Sequence, residues 1–424
     1  MPELTADMWI LFSVFLIGYA VIIFEQFLGL DKAAVALIMA ISCWSLFFIQ
    51  TPTELDHDLK LLYEQFSGVS QIVFFLLSAL AIVEVINGHN AFSLLIYLLQ
   101  VATLRRLLWV TSLITFFLSS VLDNLTTTIV MLSLLRQLLP AGKERLIIGG
   151  AIVIAANSGG AWTPIGDVTT TMLWIGGQIS SYGVIQTLFL PSLVCLVVST
   201  QLLAWLLPKQ ALQPMAQPTG SVEPHGRTIL FLGIGALLFV PCFKMLTGLP
   251  PLMGILFGLA LLWLVTDFLH RRELRHHLRM QTIFTKIDIS CVFFFTGILL
   301  CVAALESSGL LRLLAEWLDH VVGREDLIAL LLGFLSAVID NVPLVASTMA
   351  MYPVAIYPMD HGLWPLLAYC AGTGGSLLII GSAAGVVFMA IEQVSFGWYL
   401  RYISLAALVG YLAGLAVLLL TVTN

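Results

Sequence analysis

The chain has 424 residues, of which 60% are hydrophobic and only 10% charged, and its formal net charge is −6. Its mean hydropathy is +1.03. A soluble domain usually carries roughly a quarter charged residues, so this chain cannot cover its own surface and must be clothed in lipid. The acidic balance, with no basic arm or basic–aromatic patch, excludes nucleic acid as a partner.

In chain order, the sequence enters an apolar run after Asp7 with no basic n-region and no small-residue cleavage site. This reads as a retained first span over 8–27 rather than a cleaved signal peptide. Crossing ~30 Å of hydrocarbon takes about 20 residues, and comparable runs follow at 32–50, 70–87, 183–207, 228–243, 249–269, 287–305 and 398–421. Shorter apolar pieces interrupted by Gly, Pro, Asn and Asp lie between them, for about ten to thirteen membrane-embedded helical elements in all. The loop 51–65 carries Glu54, Asp56, Asp58 and Glu64 against Lys60 and is expected outside, whereas the basic stretch 270–279 is expected in the cytoplasm. The six cysteines are scattered singly without metal-ligand spacing and read as small buried side chains.

Three blocks recur in order. Residues 119–131 read SSVLDNLTTTIVM and 336–349 read SAVIDNVPLVASTM, placing Asp123 and Asp340 217 residues apart. Residues 157–170 (NSGGAWTPIGDVTT) match 372–385 (GTGGSLLIIGSAAG), and upstream 74–87 (FFLLSALAIVEVIN) matches 293–306 (FFFTGILLCVAALE). Ordered blocks at nearly one offset indicate duplication. The loop before the first unit is poor in bases and its counterpart before the second is basic, as inverted topology requires.

An ionised Asp in hydrocarbon costs at least a few kcal/mol and must face a cavity or a partner. Asp123-Asn124 and Asp340-Asn341 each follow a serine one helical turn earlier, Ser119 and Ser336, with Thr126 and Thr127 adding hydroxyls in the first half. Oxygen-only side chains suit a hard cation such as sodium or lithium. Glycine-rich breaks follow each pair, carrying Asn157, Asp167, Thr169 and Thr170 in the first half and Thr373, Ser376 and Ser382 in the second. Broken helices free backbone groups for ions near the midplane. Single hydroxyls are as readily helix glue as ligands. Glu84 is the best of the remaining buried acids, ahead of Glu306 and of Asp288, which is expected to pair with Lys286. Glu25 and Glu392 read as structural or gating groups, and the histidines of the basic loop as a solvated face. Two carboxylates in one cavity favour protonation of one of them, and a bound cation reverses this. Sodium and protons would then compete for the same groups, and exchange follows if only loaded forms cross.

These segments, together with GGAWTPIGDVTTTMLWIGGQIS, DNVPLVASTMAMYP, GTGGSLLIIGSAAGVVFM and the N-terminal FEQFLGLDKAAVALIMA, resemble the NhaD-type sodium/proton antiporters of the ion transporter superfamily. The resemblance implies an all-α integral membrane fold of two inverted repeats with re-entrant hairpins and discontinuous helices. It further implies scaffold and transport domains, a homodimer and an elevator-like movement. The expected division is 1–66 N-terminal scaffold, 67–207 first repeat, 208–286 linker with intervening helices and the basic loop, and 287–424 second repeat. Carried over residue by residue, the ion and proton site is Asp123, Asn124, Asn157, Asp340 and Asn341, with Na+ at Asp123, Asn124, Asp340 and Asn341. Ser119, Thr126, Asp167, Thr169, Thr170, Ser336, Ser376, Ser382 and Glu84 stand in support. In related dicarboxylate carriers the hairpin tips carry Ser-Asn-Thr, so Asp-Asn here would repel a carboxylate and attract a cation. No cofactor is implied beyond the transported Na+ or Li+ and H+, no enzyme activity, and a bacterial cytoplasmic (inner) membrane as the seat. The rival reading is an arsenite-type anion or metalloid permease of the same fold. An intramembrane aspartyl protease or a non-transporting scaffold does not need duplicated broken helices.

Overall fold

The computed structural model describes residues 6–23, 29–50, 55–208, 222–271, 278–338 and 340–422. Among the described residues there are helices and no strands. In hydrocarbon each backbone N–H and C=O must be satisfied internally, and a helix does this within one segment. The first half runs α1 (Ala6–Ile23), α2 (Lys32–Gln50), α3 (Leu55–Gly88), a 3₁₀ segment (Ala91–Tyr97), α4 (Leu104–Ser119), α5 (Asn124–Leu138), α6 (Lys143–Ala161), α7 (Val168–Ile175) and α8 (Ser181–Leu206). The second half runs α9 (Gly226–Thr247), α10 (Pro251–Leu269), the short α11 (Met280–Phe284), α12 (Ile289–Ser307), α13 (Leu310–Val322), α14 (Glu325–Ser336), α15 (Asn341–Met351), α16 (Leu363–Gly374), α17 (Ala383–Glu392), α18 (Phe396–Tyr402) and α19 (Ser404–Val422).

Among the described residues seven helices, α2, α3, α8, α9, α10, α12 and α19, are long and apolar enough to cross a bilayer. The chain is a multi-pass membrane protein. Two sequence expectations change in detail. The acidic stretch before the third run is helical from Leu55, with Asp56 and Asp58 in the first turn of α3, where the helix dipole favours negative charge. The run 398–421 is divided at Ile403, and α17 meets α18 at 112°. Thr51–Glu54, Glu25 and the basic core of the 270–279 stretch (272–277) lie outside the described residues.

The two halves run in opposite directions. At one face Gln65 Nε2, early in α3, donates to Glu306 Oε2 at the end of α12 (3.4 Å). At the other, His89 just after α3 meets His270 just after α10, their Nε2 atoms 2.9 Å apart. The equivalent helices α3 and α12 are therefore antiparallel. The outer helices are exchanged between repeats: α1 and α2 pack against α12, while α9 and α10 pack against α3. The Trp44 indole N–H of α2 donates to Leu300 O of α12 (2.9 Å).

The helices α4, α5, α14 and α15 are too short to span. At ~1.5 Å per residue, α4 and α5 reach only about 24 and 22 Å. They form two re-entrant hairpins, docked alike on the broken helices α6–α7 and α16–α17. Ser119 Oγ donates to Ala156 O (2.6 Å) and Ser336 Oγ to Ala371 O (2.7 Å). A Cβ on Gly166 would meet Ser119 O at 2.6 Å, and one on Gly381 would meet Ala337 O at 2.6 Å. Gly159 and Gly374 touch the backbone of Phe116 and Gly333 in the same manner. The duplicated glycines are thus contact points where a hairpin backbone lies directly on a broken helix.

Clasps hold the loops. Arg145 at the start of α6 reaches the buried Glu392 at the end of α17 (Nη2–Oε2 2.7 Å), and Arg136 stands 3.7 Å from the same carboxylate. In the related position of the other repeat, Asp360 Oδ1 accepts from Ser180 N (2.7 Å). Because the glycine contacts are backbone-on-backbone, Gly159→Ala and Gly374→Ala should each cost about 1–3 kcal/mol of stability. The apparent melting temperature in detergent should fall for both. Gly235→Ala, whose Cβ meets nothing within 4 Å, should leave it unchanged.

Candidate functional site

The site forms where four helix N-termini converge, those of α5, α7, α15 and α17. Their capping residues are Asp123, Asp167, Asp340 and Ser382. Asp123 caps α5 by accepting from Thr126 N (2.8 Å) and from Thr126 Oγ1 (2.6 Å). Asp340 caps α15 through Val342 N (3.3 Å). Ser382 caps α17 through Gly385 N (3.3 Å). Asp167 has N-cap backbone geometry, yet its side chain makes no cap bond. It turns inward instead.

There Asp167 Oδ1 accepts from Asn124 Nδ2 (3.3 Å), and Oδ2 accepts from Asn341 Nδ2 (3.1 Å) and Thr169 Oγ1 (2.6 Å). One carboxylate from the first broken helix therefore joins both hairpin tips. Asn124 Nδ2 also donates to Asn157 Oδ1 (3.0 Å), and Asn157 Nδ2 donates to Ser382 Oγ (2.9 Å). The repeat is asymmetric here for a spatial reason. Where the first half has Asn157, the second has Gly372, and a Cβ at Gly372 would lie 3.4 Å from Asp167 Oδ2. At one crossing of the broken helices an Asn–Ser bond fills the gap; at the other a carboxylate does.

A cavity of about 340 Å³ opens from this network and is lined by Asp123, Asn124, Asp167, Asp340 and Asn341, within apolar walls from α3, α9 and α12. Among the described residues no group of three or more His, Cys, Asp or Glu side chains is disposed to hold a metal ion. A cation entering here would complete its shell with amide, hydroxyl and backbone oxygens, as weakly held hard cations do.

The remaining candidates fall into place around the cavity. Ser119 and Ser336 pin the hairpins to backbone carbonyls, as described above. Thr170 Oγ1 donates to Asp167 O (2.9 Å) and Ser376 Oγ to Thr373 O (2.6 Å), both within the breaks. Glu84 does not line the cavity and accepts from Asn87 Nδ2 (3.4 Å) one turn along its own helix. Asp288 caps α12 through Cys291 N (3.1 Å) and lines the cavity, with no ion pair to Lys286 among the described residues. Asp31 and Lys32, at the start of α2, also line it. The sequence alone assigns neither a place in the site; the exchanged packing of α2 on α12 brings them in.

The chain matches the family described as citrate transporter over residues 19–365. It is 48% identical over 408 residues to sodium/proton antiporter 2 of Arabidopsis thaliana, covering 95% of this chain and 97% of that protein. It is 29% identical over 408 residues to the Na(+)/H(+) antiporter NhaD of Vibrio cholerae, covering 89% and 83%. Among solved structures it shares its fold with the YdaH transporter of Alcanivorax borkumensis, at a TM-score of 0.56 and 13% identity, over 90% of this chain and 97% of that one. Plant and bacterial relatives both occur, so kinship alone does not select the bacterial inner membrane.

Removing Asn157 leaves Asn124 and Ser382 short of a buried partner. Asn157→Ala should cost about 1–3 kcal/mol and lower the apparent melting temperature. Asn87→Ala, a surface amide, should not.

Proposed function

The chain belongs to the NhaD-type sodium/proton antiporters, within the family described as citrate transporter, and on that footing we propose that it exchanges Na+, and Li+, for H+ by alternating access. Asp123 and Asp340 are the competing carboxylates, with Asp167 between them. The observation that carries this reading is the placement of three carboxylates at the convergence of four helix N-termini. Helix N-termini attract anions, so the bare geometry suits a carboxylate substrate. Three Asp side chains reverse the sign of the site, and a cation is what such a site admits. Loading by Na+ or by protons lowers the buried negative charge and makes the crossing cheaper than for the empty, ionised site.

The moving part in this reading is the unit of hairpins and broken helices, α4–α8 and α14–α19, travelling against α1–α3 and α9–α12 within a homodimer. Lys244 of α9 donates to Trp174 O at the end of α7 (3.1 Å) and lies over the Trp174 ring. A rigid displacement of α7 must give up that contact. The second reading, an arsenite-type or carboxylate anion permease, draws on the family description and the N-terminal dipoles; the three carboxylates oppose it.

The test is proton flux in proteoliposomes on addition of Na+, Li+ or K+ between pH 6 and 10. Na+ and Li+ should release protons, and Asp123→Asn, Asp167→Asn and Asp340→Asn should each reduce the flux at least about 100-fold, as expected for groups that carry the ion. Protons occupy the carboxylates at low pH, so the apparent KM for Na+ should rise as pH falls, by up to about tenfold per unit for one competing proton. Undiminished flux in the Asp340→Asn protein, or arsenite or citrate transport insensitive to it, would refute the exchange mechanism.

A further inference from the structure

Five carboxylates line the cavity: Asp31, Asp123, Asp167, Asp288 and Asp340. Lys32 is the one cation among the described lining residues. Each carboxylate already has a hydrogen-bond donor, Asp31 through Ala33 N (2.8 Å) and the others as given above. The Lys32 ammonium has no hydrogen-bond acceptor among the described residues; its Nζ lies 4.9 Å over the ring of Phe294 on α12. An ammonium held against an aromatic face in an apolar wall is only partly compensated. The field of the opposing carboxylates, Asp340 among them, which line the same cavity, supplies the rest.

Lys32 is carried by α2 and seated on α12, outside the hairpins and broken helices that hold the three site carboxylates. Its charge therefore sits in the cavity wall on a separate group of helices. From there we infer that Lys32 is a resident countercation of the ion site, a tethered positive charge that weakens Na+ binding in the conformation seen here and so promotes release. The inference rests on the antiporter reading. With Na+ bound, like charges repel and the ammonium stays on Phe294. With the site empty, its four-carbon stem lets it lean toward Asp340. In general, at an effective dielectric near 20, a unit charge about 10 Å from a bound cation changes the cation's affinity by about tenfold or somewhat more.

The experiment uses the full chain in proteoliposomes, comparing wild type with Lys32→Met, Lys32→Gln and Lys32→Arg. The neutral variants should lower the KM for Na+ about tenfold and lower the maximal rate, because a tighter site releases its ion more slowly. Lys32→Arg should keep the wild-type KM. An unchanged KM in both neutral variants, or an equal shift in Lys32→Arg, overturns the inference. So does failure of both neutral variants to accumulate while Lys32→Arg does, because the charge is then structural. Absence of Na+-dependent flux in the wild type would instead strike the antiporter reading itself.

Discussion

The structure turns on the buried carboxylate of Asp167. It accepts from Asn124 of one hairpin and Asn341 of the other, and so joins the tips of two repeats that share no covalent link nearby. A carboxylate without donors at this depth would be prohibitively costly, and one with three is tolerable. Every other feature of the centre accommodates that group. Gly372 leaves room for it, Asn157 and Ser382 fill the equivalent gap across the pseudo-symmetry axis, and the glycines of both breaks let the hairpin backbones come within contact distance.

On the antiporter reading, the same geometry would let one fold serve substrates of opposite charge. Four helix N-termini aimed at one point form an anion site before any side chain is considered. With uncharged caps it would hold a carboxylate. With Asp at three of the four caps, the side chains outweigh the partial charges of the helix ends, which amount to about half a unit each. The family's description as citrate transporter and its antiporter members are thus compatible chemically, because the residues at the caps, and not the helices, set the sign.

Asymmetry between the halves is equally built in. Duplication supplied two hairpins and two breaks, but only the first break carries an acid; Ser382 stands in its place in the second. The clasps on the two hairpin loops differ as well. One is the buried Arg145–Glu392 pair and the other a backbone N–H on Asp360. A buried pair with a hydrogen-bonded carboxylate holds its elements strongly, because losing either partner strands a charge.

By itself the sequence determined the membrane class, the duplication, the inverted arrangement and the identity of nearly all the polar groups at the centre. These were legible because hydrocarbon makes polar residues rare, so Asp123, Asp167 and Asp340 stand out against apolar runs, and because the loop charges differ between halves. It did not determine which acids share the cavity. Glu84 ranked ahead of Asp288 on sequence, yet only Asp288 lines the cavity, since one step around a helix exchanges a cavity-facing side chain for one facing away. Asp31 and Lys32 lie in the N-terminal segment FEQFLGLDKAAVALIMA, which by itself gave them no place in the site. Only the tertiary structure decided their place in the cavity wall, because the exchanged packing of α2 on α12 joins residues as far apart as Trp44 and Leu300, 256 positions, a contact no local pattern encodes.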